Sequence, residues 1–422
     1  MAEVIEKNRG AREVLANSEF RKLWIGQTIS QIGDGLTTLA MMIVINQLTG
    51  STAALAGITI ALALPQLLFG MLAGVFVDRW DRKKLMIISD ILRGILVLAL
   101  IFVRDASWIW VFYVVGFLQA SVGTFFFPAK GALIPLIVDK ELLLAANSLS
   151  QTTQVITGVV GSALAGFLVG ISGSGWPAFS LDSLSFFVSA VFIARMIVPK
   201  VTAELTEGGT QAVFSQLGEG VRFVFSSSML VGVMVTFAIT MLGIGAINVL
   251  FIPLLVKDLQ VPTAMLGFVD AAQVVGMVLG GGLVATLASR LKASWVIVCG
   301  VVGLGVCVAV VSVLHSIWLV YVALFFLGLC LTPVQATAST LMQKYVPNEK
   351  RGRAGSAINT AISVASVISM ALAGVLGDTL GVRNVFMLSG VVVIIAGLLG
   401  AFLMRETSQP DLAPVEESLP NS

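Results

Sequence analysis

Stretches of apolar residues recur from Leu23 to Met404, separated by short polar, charged or Gly/Pro/Ser-rich breaks. A run of about 20 such residues in a helix crosses a ~30 Å hydrocarbon layer. Splitting the runs at charge clusters and turn residues predicts twelve helices, with approximate limits 23–48, 52–77, 85–103, 108–135, 142–171, 177–198, 226–256, 263–288, 293–313, 316–343, 355–379 and 383–404. The runs are continuous rather than alternating over ~10 residues, which excludes a transmembrane barrel. The pattern therefore predicts an all-α membrane protein with twelve transmembrane helices.

The longest connection, 199–225, places Val213, Leu217, Val221 and Val224 at helical spacing. It is expected to hold an amphipathic helix lying along the membrane interface. It separates a six-helix bundle at 23–198 from a second at 226–404. Residues 1–22 mix acids and bases with no apolar core ahead of Leu23, so they read as a cytoplasmic segment rather than a cleavable signal peptide. Residues 405–422, rich in Pro, Ser and acids, are expected to form a disordered cytoplasmic tail.

The two bundles resemble each other at a steady offset. GSALAG at Gly161–Gly166 pairs with SMALAG at Ser369–Gly374, GMLAG at Gly70–Gly74 with GMVLG at Gly276–Gly280, and Pro128 with Pro333. Three matches in one order point to a duplicated six-helix unit.

Composition supports the membrane reading, because only 11% of residues are charged and 57% are hydrophobic, whereas soluble domains carry about 25% charged residues. The net charge of +2 matters less than where the charges fall. Of the 25 Lys and Arg, only Arg104, Lys257 and Arg383 lie on connections that are external if the N-terminus is inside. That bias predicts a multi-pass protein of the plasma membrane with both termini cytoplasmic. Cys299, Cys307 and Cys330 all lie within apolar runs and read as packing residues. With one histidine, His315, no H-E-x-x-H and no phosphate-binding loop, neither an enzyme nor ATP-driven transport is expected.

The loop after the second span reads Gly74-Val75-Phe76-Val77-Asp78-Arg79-Trp80-Asp81-Arg82-Lys83-Lys84. It resembles the G-x-x-x-D-R-x-x-R-[RK] signature of the major facilitator superfamily. FFFPAKGALIPLIV from Phe125, AANSL at Ala145–Leu149, LGEGVRF at Leu217–Phe223 and VPNEKRGRAGS at Val346–Ser356 are similar to the branch containing macrolide efflux proteins and the enterobactin exporter. The resemblance implies the major facilitator fold, two six-helix repeats with substrate bound at the midplane between them. It also implies proton-coupled efflux of amphipathic or lipophilic small molecules by alternating access. Export of a siderophore, export or flipping of a lysolipid, and uptake on the same fold are the alternatives. Two departures stand out. The antiporter pattern G-P-x-x-G-G is replaced by Gly161-Ser162 with Ala165-Gly166, and the equivalent second-half loop keeps only Arg290 and Lys292.

Asp34 is the sharpest functional candidate, since a carboxylate near mid-membrane is costly and is by default functional or paired. Gln27, Gln31, Asp34 and Thr38 share one helical face, and Gly33 and Gly35 flank the acid. Asp34 is expected to bind and release the coupling proton, with Asp270 as a second site on a face with Gln273, Met277 and Gly280. Asp182 reads instead as a helix N-terminal stabiliser. By resemblance, Gly74, Asp78, Arg79 and Arg82 form a cytoplasmic gating motif, joined by Asp90 and Arg93 one turn apart. Lys83 and Lys84 read as topology charges. Gln31, Gln66, Gln119, Gln151, Asn248, Gln273 and Gln335 are candidate substrate-cavity residues. Met41, Phe69, Phe126, Phe237 and Met241 suit an apolar, adaptable lining. No cofactor or metal is expected, only the coupling proton. The expected partners are a small-molecule substrate and the lipid bilayer, with no nucleic acid, and the chain is expected to act as a monomer.

Overall fold

A computed structural model describes residues 10–199 and 210–404, and every regular element among them is helical. The helices are α1 (Ser18–Thr49), α2 (Thr52–Arg79), α3 (Arg82–Leu98), α4 (Ile109–Ile137), α5 (Leu143–Ser172), α6 (Trp176–Ala194), α7 (Thr210–Phe225), α8 (Ser228–Pro253), α9 (Val269–Arg290), α10 (Ala293–Val313), α11 (Ile317–Tyr345), α12 (Asn348–Leu380) and α13 (Val382–Leu403). All but α7 form the 12 segments long and apolar enough to cross a membrane. The expected tail, 405–422, and residues 200–209 of the linker lie outside the described residues.

Differences from the predicted limits have local causes. α12 starts at Asn348 rather than 355, because the polar run NEKRGRAG continues the helix beyond the apolar layer. Hydropathy marks the slab, not the end of the helix. α6 stops at Ala194 rather than 198; Pro199 disfavours helical geometry in the residue before it and cannot itself donate to an earlier carbonyl. The eighth span opens with a 3-10 turn at Thr263–Phe268 before α9 begins.

Side-chain caps fix several starts. The Asn17 oxygen accepts from the amides of Glu19 and Phe20, while its nitrogen donates to Ile137 O at 2.6 Å, tying α1 to the end of α4. Ser51 caps α2 and Asp81 caps α3. Gly50 closes α1 with φ 60°, a conformation open to glycine at little cost.

The described residues divide into two compact units. The first comprises α1–α6 together with Gln260–Asp270; the second comprises α7, α8, the rest of α9 and α10–α13. Gln260–Asp270 joins the first unit because Gly267 presses onto the Ser162 carbonyl of α5, leaving no room for a side chain.

The repeat read from the sequence reappears as matched helix crossings. Gly161 of α5 packs on the Ile32 carbonyl and Gly35 of α1, where any Cβ would collide. In the second unit α8 crosses α12 at the corresponding place, and a Cβ added to Gly245 would lie 2.7 Å from Ser369 Cβ. Without the antiporter proline, small residues alone give backbone-to-backbone packing.

Lys83 does more than mark topology. Its Nζ donates to Ala194 O and Met196 O, both at 2.8 Å, neutralising the negative C-terminal end of α6. Lys84 is exposed. Lys83→Met is expected to lower stability by about 1 kcal/mol, read as a reduced thermal midpoint in detergent. Lys84→Met should leave that midpoint unchanged.

Candidate functional site

Midway along α1, Asp34 Oδ1 accepts from Arg93 Nη2 of α3. The Asp34 side chain is 30% exposed and Arg93 only 9%. The guanidinium is backed by the Phe186 ring of α6, with 4.3 Å between its carbon and the ring centroid. Arg93 therefore belongs to an intramembrane ion pair and does not extend to the cytoplasmic gate expected for it. One face of the pair is dry and aromatic, and the Asp34 side is part-exposed.

Two further acids lie within electrostatic reach of this pair. Asp90, one turn before Arg93, is 0% exposed and faces Ser189, yet neither of its oxygens makes a hydrogen bond of ordinary length. Asp182 is also fully buried, and its Oδ1 accepts from Ser185 Oγ at 3.2 Å. Because α6 begins at Trp176, Asp182 lies in the second turn, pointing at Gly33 rather than at the helix end. The N-terminal role expected for it is thereby replaced by membership of the interior cluster. A Cβ at Gly33 would strike Asp182 Oδ1 and Ser185 Oγ, so the glycine beside Asp34 is what admits the second acid. One guanidinium thus lies within electrostatic reach of three carboxylates and is paired with one, Asp34.

A band of hydrogen-bonding groups continues along α1. Gln27 Nε2 donates to Ser189 Oγ at 3.4 Å, Thr157 Oγ1 donates to Gln31 Oε1 at 3.1 Å, and Trp24 Nε1 donates to Thr153 Oγ1 at 2.9 Å. Trp24, Gln27, Gln31 and Thr153 line a small pocket between α1, α4 and α5 together with Lys130. Lys130 is the principal group missed in the sequence. It falls inside the predicted fourth span, 108–135, with no role assigned to it there; α4 carries it about two turns before its end at Ile137. It forms no ion pair among the described residues.

The other candidates scatter. Gln119 is 5% exposed and Gln31 half-buried, whereas Gln66, Gln151, Asn248 and Gln335 are exposed and Gln273 is half-buried. Met41 and Phe126 fill protein core. Asp270 is exposed at the start of α9, and Ser162 hydrogen-bonds to it. In the loop after the second span, α2 ends at Arg79 and α3 begins at Arg82 under the Asp81 cap. Gly74 and the side chain of Asp78 lie outside the described residues.

The model of the family described as transmembrane secretion effector matches residues 11–421. Macrolide efflux protein A of Streptococcus pyogenes is 26% identical over 89% of this chain and 93% of that protein. The multidrug efflux pump Tap of Mycolicibacterium fortuitum is 27% identical over 88% of this chain and 92% of its own length. Among solved structures, a bacterial homologue of the iron transporter ferroportin, inward-facing, has a TM-score of 0.72 at 15% identity and covers 92% of this chain and 98% of that one. A bacterial homologue of the human lysosomal transporter Spinster, also inward-facing, has a TM-score of 0.71 at 15% identity, covering 92% and 96%. Twelve spans, a duplicated six-helix plan and a family match along nearly the whole chain make this protein a member of the transmembrane secretion effector family of the major facilitator superfamily.

Proposed function

We propose that the protein is a proton-coupled exporter of amphipathic or lipophilic small molecules, working by alternating access in a bacterial plasma membrane with both termini cytoplasmic. The observation that carries this reading is the Asp34–Arg93 pair, a part-exposed carboxylate held by a buried cation midway through the first span. Proton binding to Asp34 removes its charge and frees Arg93 to turn toward Asp90 or Asp182. Proton release restores the pair. A ligand or proton shifts a two-state protein only through such differential contacts.

The efflux direction is supported by the names of the macrolide and multidrug efflux relatives. Asp78, Arg79 and Arg82 are assigned to the cytoplasmic gate, and Asp270 to a secondary proton site. Gln31 and Lys130 face the guest from the first unit. The chain is proposed to act as a monomer, with no cofactor beyond the proton and no nucleic-acid partner.

The test is a growth screen of an efflux-deficient bacterial host expressing the chain, run against macrolides, cationic dyes and siderophores. Protection against at least one amphipathic compound, lost when the pH gradient is collapsed, is the expected result. Protection against none, with accumulation of a nutrient instead, overturns the reading in favour of uptake.

A further inference from the structure

In the second unit, α7 docks against the start of α12 and leaves between them a cavity of 310 Å³ lined by Glu219, Arg222, Phe223, Lys350 and Arg353. Close approach of the two helices depends on Gly220, which rests on the Arg353 carbonyl where a Cβ could not fit. Val224 is fully buried in the apolar cluster with Leu230, Val346 and Ala354, which fixes the helix in place.

The flank of α7 beside the cavity is of a different kind. Val221 is 40% exposed and Phe225 is 63% exposed, one turn apart, with Arg222 beside them. Arg353 is paired with Glu219, and Lys350 lies 5.1 Å over the Phe223 ring. Among the described lining residues, three cations face one carboxylate, a surplus of two positive charges. The cavity lies at the level of the membrane surface, because the spans that flank it begin at Ser228 and Lys350.

We propose that this cavity binds the phosphate of an anionic phospholipid headgroup. Arg222 and Lys350 contact the phosphate, and Val221 and Phe225 lie against the acyl chains. Free phosphate would use the cations but has no need of the exposed apolar pair. A lipid accounts for both, since interfacial helices set apolar side chains below the headgroups and basic ones among them. Anionic lipid surfaces attract each nearby basic residue by an amount equivalent to about fivefold in affinity.

The test uses native mass spectrometry of the full chain in detergent, titrated with phosphatidylglycerol, with phosphatidylcholine of the same acyl chains, or with inorganic phosphate. Phosphatidylglycerol should bind at least about fivefold more tightly than phosphatidylcholine, and Arg222→Gln with Lys350→Gln should weaken it about 25-fold. Arg222→Lys with Lys350→Arg should retain binding within about twofold, since charge is kept. The control pair Lys84→Gln with Arg290→Gln, exposed bases outside the cavity, should also retain it. Equal binding of the two lipids, undiminished binding in the Gln double variant, or displacement by stoichiometric inorganic phosphate would overturn the proposal, the last by revealing a free-anion site. These measurements involve no transport, so they succeed or fail independently of the proposed export.

Discussion

Asp34→Asn is expected to abolish pH-gradient-driven export in everted vesicles, down to the level of empty vesicles, while substrate exchange without a gradient continues. The amide is nearly isosteric and its oxygen can still accept from Arg93, so the helix contacts survive. What it cannot do is gain and lose a proton near neutral pH. Arg93 is left with Asp90 and Asp182 in electrostatic reach, which limits the cost to the fold. Asp34→Glu, which keeps the acid on a longer stem, should recover part of the coupling. Unchanged gradient-driven export in the Asn variant would remove Asp34 from the coupling step.

Arg93→Met should be the most destabilising single change in the cluster. The side chain is 9% exposed, and deleting it leaves two fully buried acids and a part-exposed one with no cation on Phe186. Breaking a buried pair by removing one partner costs about 3–5 kcal/mol, more than the pair itself contributes, because the remaining charge is stranded. A large fall in thermal midpoint and in membrane abundance is expected. Adding Asp34→Asn to Arg93→Met should restore a substantial part of the loss, since one stranded charge is then neutral. If the two losses simply add, the residues do not act as a unit.

Most of the fold is legible in the sequence because a membrane imposes one long period on the chain. The predicted ninth span, 293–313, coincides with α10, since it is apolar throughout and both ends are sharp. Where polar residues stay helical, as at the head of α12, hydropathy cannot see them. The interior cluster was legible only in pieces. Asp34 stands out because nothing near it in sequence can compensate a mid-membrane acid. Its pairing with Arg93 does not, because which face of α3 meets α1 is a matter of tertiary packing. Asp182 is misread through its nearness to the start of its span, where a turn or two of helix separates a surface charge from an interior one.

The two glycines that flank Asp34 carry a mechanical consequence. Gly33 is pressed against Asp182 and Ser185 on α6, and Gly35 against Gly161 on α5. The stretch of α1 that carries the acid is therefore clamped between two neighbours with no side chain as a cushion. It cannot slide to answer a change of charge. In the proposed proton step the response therefore falls to the long arm of Arg93, with α1 as the anvil of the device and α3 holding its hammer.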